Sequence, residues 1–195
     1  MPSAPRRIVI AFGRMNPPTT GHKVLVDFME ATARRLNADV RFYPSQSQDP
    51  KKNPLPFTEK TRFLKLFFPQ LSVNTNTAIR TPIDAFMDVS NAGYTELYVC
   101  VGSDRVQDFK KLEQYLVPRD SPKYNASKHI AMNKYTVIAV PGERDPDADD
   151  ATGMSASKMR GFVIAGNFDA FKQGAPKPVY AKQLWDALRR YMNIR

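Results

Sequence analysis

Two stretches of this 195-residue chain gather side chains that can handle phosphate, each at the start of a helical pattern. The first is Gly13-Arg14-Met15-Asn16-Pro17-Pro18-Thr19-Thr20-Gly21-His22. Its prolines force an extended turn and cannot begin a helix in mid-turn, and Gly21 lets backbone come close to whatever lies above it. From His22 onward Val24, Leu25, Phe28 and Met29 fall on one helical face. Unpaired N–H groups and the helix dipole at such a start attract phosphate. The second stretch is Met154-Ser155-Ala156-Ser157-Lys158-Met159-Arg160. Ser155 is placed to cap a helix running through Phe162 and Ile164, with Ser157 in its first turn. Lys158 and Arg160 then bring cationic donors suited to a polyphosphate tail.

The elements that must position these residues alternate between β and α. A β-branched run predicts a strand from about Arg7 to Phe12, followed by a helix from Gly21 to Leu36 and a second strand over Asp39–Pro44. A polar, proline-marked loop covers Ser45–Leu55; a helix from Thr58 then carries Phe63, Leu64, Phe67 and Phe68. Leu71–Asn74 reads as a weak third strand. Thr81-Pro82-Ile83-Asp84 has the N-cap, early proline and early acid of a helix that runs to Asn91. Strands follow at Glu96–Val101 and Tyr135–Val140, with a helix between them over Val106–Leu116. The last third is helical, broken at Gly174-Ala175-Pro176, and its final helix spans Val179–Met192. Alternation of this kind predicts an α/β fold, a parallel sheet flanked by helices with ligands over the strands' carboxyl ends. We assign residues 1–166 to this Rossmann-like domain and 167–195 to a helical C-terminal appendage.

The two stretches carry a resemblance. Thr19-Thr20-Gly21-His22, with Gly13, Met15 and Pro17 before it, resembles the first signature of the nucleotidyltransferase superfamily, which includes nicotinamide-mononucleotide, phosphopantetheine and glycerol-phosphate nucleotidyltransferases. Ser155, Ser157 and Arg160 match the second, Ile-Ser-Ser-Thr-x-x-Arg; the same stretch is similar to the Lys-Met-Ser-Lys-Ser loop of class I aminoacyl-tRNA synthetases. Either motif alone is an ordinary turn or helix cap, and their conjunction in the expected order decides the reading. The resemblance implies that an acceptor's phosphate or hydroxyl oxygen attacks the α-phosphorus of a nucleoside triphosphate and pyrophosphate leaves. His22 would donate to the α-phosphate oxygens with Thr19 and the helix start assisting, and Arg160 and Lys158 would clamp the β- and γ-phosphates beside Ser155 and Ser157. Thr19 stands where many members have histidine, which leaves less redundancy for His22. Magnesium would accompany the triphosphate without dedicated protein ligands. Arg160 at the end of the second motif resembles adenylyl-transferring members and favours ATP over CTP. Gly13-Arg14-Met15-Asn16-Pro17 and Asn53-Pro54 resemble nicotinamide-mononucleotide adenylyltransferases, and that acceptor is our expectation; phosphopantetheine, flavin mononucleotide and sugar phosphates are the alternatives.

Smaller groups of residues fit the same frame. The resemblance matches Gly102-Ser103-Asp104 to a Gly-x-Asp turn near the ribose and base; the other reading is that Ser103 or Asp104 simply caps a helix. Lys51, Lys52 and Asn53 follow strand two, where members bind acceptor or phosphates, although adjacent loop lysines are commonly just solvated. The acidic run Glu143–Asp150 has no EF-hand spacing and reads as a flap closing over the site. Residues 141–160 are similar to small nucleotidyltransferase-like proteins of large tailed bacteriophages.

Composition sets bounds. The net charge is +10, most of it in residues 1–80, which suits phosphorylated substrates. No helix-turn-helix or aromatic-interleaved motif speaks for sequence-specific nucleic-acid binding. No apolar stretch has the length of a membrane span, and the N-terminus lacks a signal peptide's apolar core. The single cysteine, Cys100, sits in an apolar run and reads as a buried strand residue in a cytoplasmic protein (host cytoplasm for a phage member). His129 has too few companions for a zinc site. Two other classes stay open: a synthetase-like fragment acting on RNA, and a catalytically silent binding module.

Overall fold

Ile8-Val9-Ile10-Ala11 offers water no polar side chain on either face, and these residues form the buried middle of β1 (Arg7–Gly13). The structure, a computed structural model, describes residues 4–141 and 153–194. The remaining elements follow in order: α1 (Thr20–Leu36), β2 (Asp39–Pro44), α2 (Phe57–Phe67), α3 (Pro82–Asn91), β3 (Glu96–Val101), α4 (Val106–Lys110), β4 (Leu116–Val117), β5 (Ile130–Ala131), β6 (Lys134–Ala139), α5 (Ala156–Ala165), α6 (Phe168–Gly174) and α7 (Ala181–Tyr191). The described residues form two compact units, 4–12, 28–43 and 76–141 in the first and 13–27, 44–75 and 153–194 in the second.

The first unit holds a four-stranded sheet in the order β2-β1-β3-β6. β1 runs parallel to β3 (Ile10 opposite Val99), and β3 runs parallel to β6 (Val101 opposite Ala139). At the entry of β3, Glu96 accepts from Arg7 and from the Tyr98 hydroxyl, both at 2.8 Å, which pins the register of β1 against β3. The core beneath is Ile8, Ile10, Leu97 and Val99 against Phe86 and Val89 of α3. α3 starts as its sequence predicts: the Thr81 hydroxyl accepts from the Asp84 N–H, and the Asp84 carboxylate accepts from the Thr81 N–H.

Two expectations are corrected here. Leu71–Asn74 forms no strand, because only Leu71 is buried. Just after it, Asn76 turns its side chain onto the Ala78 N–H, a local bond that competes with a sheet ladder. The helix expected over Val106–Leu116 ends as α4 at Lys110 and tightens to a 3-10 turn over Lys111–Tyr115. Pro118 forces the residue before it into extended backbone, so Leu116–Val117 becomes β4, paired in parallel with β5.

The second unit is helical. Ala181, Leu184, Trp185 and Leu188 form one stripe of α7, and the rings of Phe168 and Phe171 from α6 meet Trp185 edge-on at 5.3 and 5.1 Å. Phe63, Leu64 and Phe67 of α2 are buried, and Lys177 donates to the Leu66 carbonyl at 3.0 Å. Gly166 closes α5 in the left-handed conformation at φ 70°, which a β-carbon would strain, and Asn167 then caps α6. Among the described residues no helix is long and apolar enough to cross a membrane.

Cys100 lies buried in β3, and burial pushes its thiol up to about 12. An aromatic disulfide reagent at pH 8 should therefore leave the native protein unlabelled while the urea-unfolded chain reacts fully. Rapid labelling without denaturant would contradict the placement of this strand.

Candidate functional site

The first signature leaves β1 at Gly13, whose carbonyl accepts from the Ser45 N–H at 2.8 Å. Met15 follows with φ 39°, a left-handed backbone that costs a side-chain-bearing residue roughly 1–3 kcal/mol and is held by surrounding structure. Asn16 supplies part of that hold. Its amide donates to the Leu55 carbonyl and accepts from the Leu55 N–H, both at 3.0 Å, with Asn16 almost fully buried. The turn ends where α1 begins. The Thr19 carbonyl accepts from the N–H groups of His22 and Lys23, while the Thr19 N–H donates to His22 Nδ1 at 3.1 Å. The Thr19 hydroxyl lies 3.0 Å from the same nitrogen, so backbone and side chain of Thr19 together hold the Nδ1 edge of the ring.

The Thr19 hydroxyl has one proton, and it goes to the carbonyl oxygen of Met154 at 2.7 Å. That bond joins the two signatures. Thr19 is fully buried and does not line the cavity, so its hydroxyl orients backbone and cannot donate to a ligand; this changes the part expected of it. Beyond Met154, the Ser155 side chain caps α5 by accepting from the Lys158 N–H at 3.1 Å. Arg160 reaches back one turn to Ser157 Oγ at 3.1 Å, and across to the carbonyl of Asn16 at 2.8 Å. Met154 is itself held from behind. A β-carbon on Gly174 would collide with Met159 Sδ and lie 2.8 Å from Met154 Cγ, so a side chain at residue 174 would force both methionines to shift.

These segments enclose a cavity of about 490 Å³, within the range of small-molecule sites. Of the residues singled out from sequence, Arg14, Met15, Gly21 and His22 line it from the first signature, Ser155, Ser157 and Arg160 from the second, and Lys52 and Asn53 from the loop after β2. Lys51 is next to that lining and exposed; Gly13 and Lys158 frame it through backbone. Gly102 and Asp104 belong to the first unit, where Gly102 precedes the 3-10 turn Ser103–Arg105 at the end of β3. The acidic run 143–150 lies outside the described residues. Two contributors were not foreseen. Asn16 is visible only as an amide in a proline turn, and its partner is 39 residues away. Met154 acts through a carbonyl, which no side-chain type encodes.

The electrostatics are one-sided. Arg14, Lys52 and Arg160 line the cavity together. The loop acid Asp49 accepts from the Lys51 and Lys52 N–H groups and from the Asn53 side chain, which holds its carboxyl below its ordinary range. Burial, and then the neighbouring Arg14 charge, pull the Arg160 guanidinium below its usual value, with Asp49 opposing. Cations held at a common surface at this cost make a site for a polyanion.

Replacing Asn16 by alanine should lower unfolding stability by roughly 2–4 kcal/mol, because it leaves both buried backbone groups of Leu55 without a partner. Urea unfolding measures this, and a loss below about 0.5 kcal/mol would show that the amide pair is not the fastener of this turn.

No protein-family model matches the chain, and no curated protein matches it by sequence. Among solved structures it is similar to the nicotinic acid mononucleotide adenylyltransferase of Plasmodium falciparum. Against the complex with NaAD the TM-score is 0.59 at 16% identity, covering 97% of this chain and 98% of that one. Against the complex with APC it is 0.55 at 17% identity, covering 97% and 96%. A bifunctional NMN adenylyltransferase/ADP ribose pyrophosphatase from Francisella tularensis gives 0.53 at 12% identity over 96% of this chain and 53% of that one. At these identities the likeness establishes the fold: a Rossmann-like α/β chain of the architecture these adenylyltransferases use.

Proposed function

We propose that this chain transfers the adenylyl group of ATP to nicotinamide mononucleotide or its nicotinic acid counterpart. An oxygen of the acceptor's phosphate forms a bond to the α-phosphorus, the bond from that phosphorus to the bridging oxygen breaks, and pyrophosphate leaves with the electron pair. Such a reaction asks the protein for alignment and charge stabilisation and for no covalent step. His22, held at its Nδ1 edge by Thr19, donates through Nε2 to the α-phosphate oxygens as charge grows there. The start of α1 adds its dipole and N–H groups. Arg160, steadied by Ser157 and the Asn16 carbonyl, takes the β- and γ-phosphates with Lys158, and Arg14 and Lys52 meet phosphate from the other segments. Magnesium enters bound to the triphosphate. The cytoplasm supplies both substrates.

The observation that carries this reading is the pair of bonds from Thr19 to Met154 and from Arg160 to Asn16, which bring both signatures onto one cationic cavity. Whole-chain likeness in fold to enzymes named for this reaction supports the choice of acceptor.

Purified protein with magnesium and ATP should release pyrophosphate when given nicotinamide or nicotinic acid mononucleotide. It should release little with phosphopantetheine, flavin mononucleotide or glycerol 3-phosphate, or with CTP in place of ATP. His22→Ala should keep the fold and lose two or more decades in rate, on the order expected for one preorganised donor. An unchanged rate rejects the role of His22, and silence with every acceptor rejects the reaction.

A further inference from the structure

Among the described residues Lys60 is the only fully buried charged side chain, and the scheme above makes no use of it. It closes the first turn of α2, its N–H donating to the Pro56 carbonyl. Its ammonium donates to the carbonyl of Ser45 and lies 3.5 Å from the Ser45 hydroxyl. The same Ser45 residue donates its N–H to the Gly13 carbonyl. A relay of one side-chain bond and one backbone bond thus leads from Lys60 to the residue before Arg14. Burying an ammonium is expensive unless an opposite charge offsets it, and among the described residues none of the charges around it does so. Arg14 is a like charge within electrostatic reach of the ammonium. Glu59 is taken by Arg62 on the outside of the same helix at 2.8 Å, and Asp49 is engaged by its own loop. Lys52 and Arg160 line the cavity with Arg14 and are cations too.

We propose that Lys60 is a positioning residue of the cavity, fixing through Ser45 the turn that carries Arg14 and supplying buried positive charge that a bound polyphosphate offsets. The inference rests on reading the cavity as a nucleotide site. It has a consequence that a purely structural lysine would lack. Burial, reinforced by Arg14, lowers Lys60 from 10.5 to about 8. A polyphosphate stabilises the charged form and raises that value again, so the bound protein holds more protons than the free one near pH 8. Binding then takes up protons and weakens as pH rises.

The test is titration calorimetry of ATP with magnesium and no acceptor, at pH 8, in buffers of different ionisation enthalpy. The native protein should take up about half a proton per ATP, since about half of Lys60 is neutral at that pH. Lys60→Met, which keeps the stem and removes the charge, should bind more weakly and lose that uptake. Equal uptake in both proteins overturns the inference while leaving the nucleotide site standing. Absence of ATP binding to the native protein removes both. Should the variant not fold, the native chain decides. Its ATP affinity should fall by up to about tenfold between pH 7 and pH 9, and a flat profile overturns the inference.

Discussion

A buried hydroxyl has one proton to give, and in this protein Thr19 gives it to a carbonyl 135 residues away. The rest of the site depends on that bond. It settles the direction of the Thr19 backbone, which with the hydroxyl holds the Nδ1 edge of His22, and it holds the Met154 peptide just ahead of the serine that caps α5. A histidine in place of Thr19 would bring a second imidazole to the cavity. Threonine forgoes that and becomes a fastener, so His22 works as the one imidazole on this surface.

The cavity that results is held by polar bonds in front and by packed sulfur and carbon behind. Arg160 reaches the Asn16 carbonyl and the Ser157 hydroxyl at the same time, which leaves its position little freedom. Met154 and Met159 fill the space behind it, against the bare α-carbon of Gly174. Preorganisation of this kind matters in phosphoryl chemistry, where the protein's contribution is largely the fixed placement of charge before the reactants arrive. The left-handed backbone at Met15 belongs to the same economy of strain, stored in a turn that Asn16 and Leu55 hold shut.

Much of this was legible in the sequence, for a definable reason. His22, Ser155, Ser157 and Arg160 line the cavity as side chains on helix starts, and helix starts announce themselves through glycine, proline and hydroxyl residues. β1 and β3 were equally plain, as apolar runs bounded by turns. What escaped was carried by backbone or by distance. The carbonyl of Met154 has no side-chain signal, and the amide of Asn16 meets a partner that only the folded chain brings near. Lys60 looks in sequence like any lysine on an amphipathic helix, and only burial separates it from its neighbours. β4 and β5, two residues each, are too short to show a period. Leu71–Asn74 misled because a leucine and a valine at alternate positions resemble a strand until the asparagine turn after them is counted.

Asn16 makes this architecture hard to revise one residue at a time. Aspartate would keep an acceptor for the Leu55 N–H but set oxygen against oxygen at the Leu55 carbonyl, glutamine is a methylene too long, and serine cannot span both groups. Any replacement also disturbs the carbonyl on which Arg160 rests. Position 16 is therefore closed to drift, whereas exposed Lys51, beside the same cavity, is free to vary, and lineages descended from this chain should diverge around a fixed asparagine.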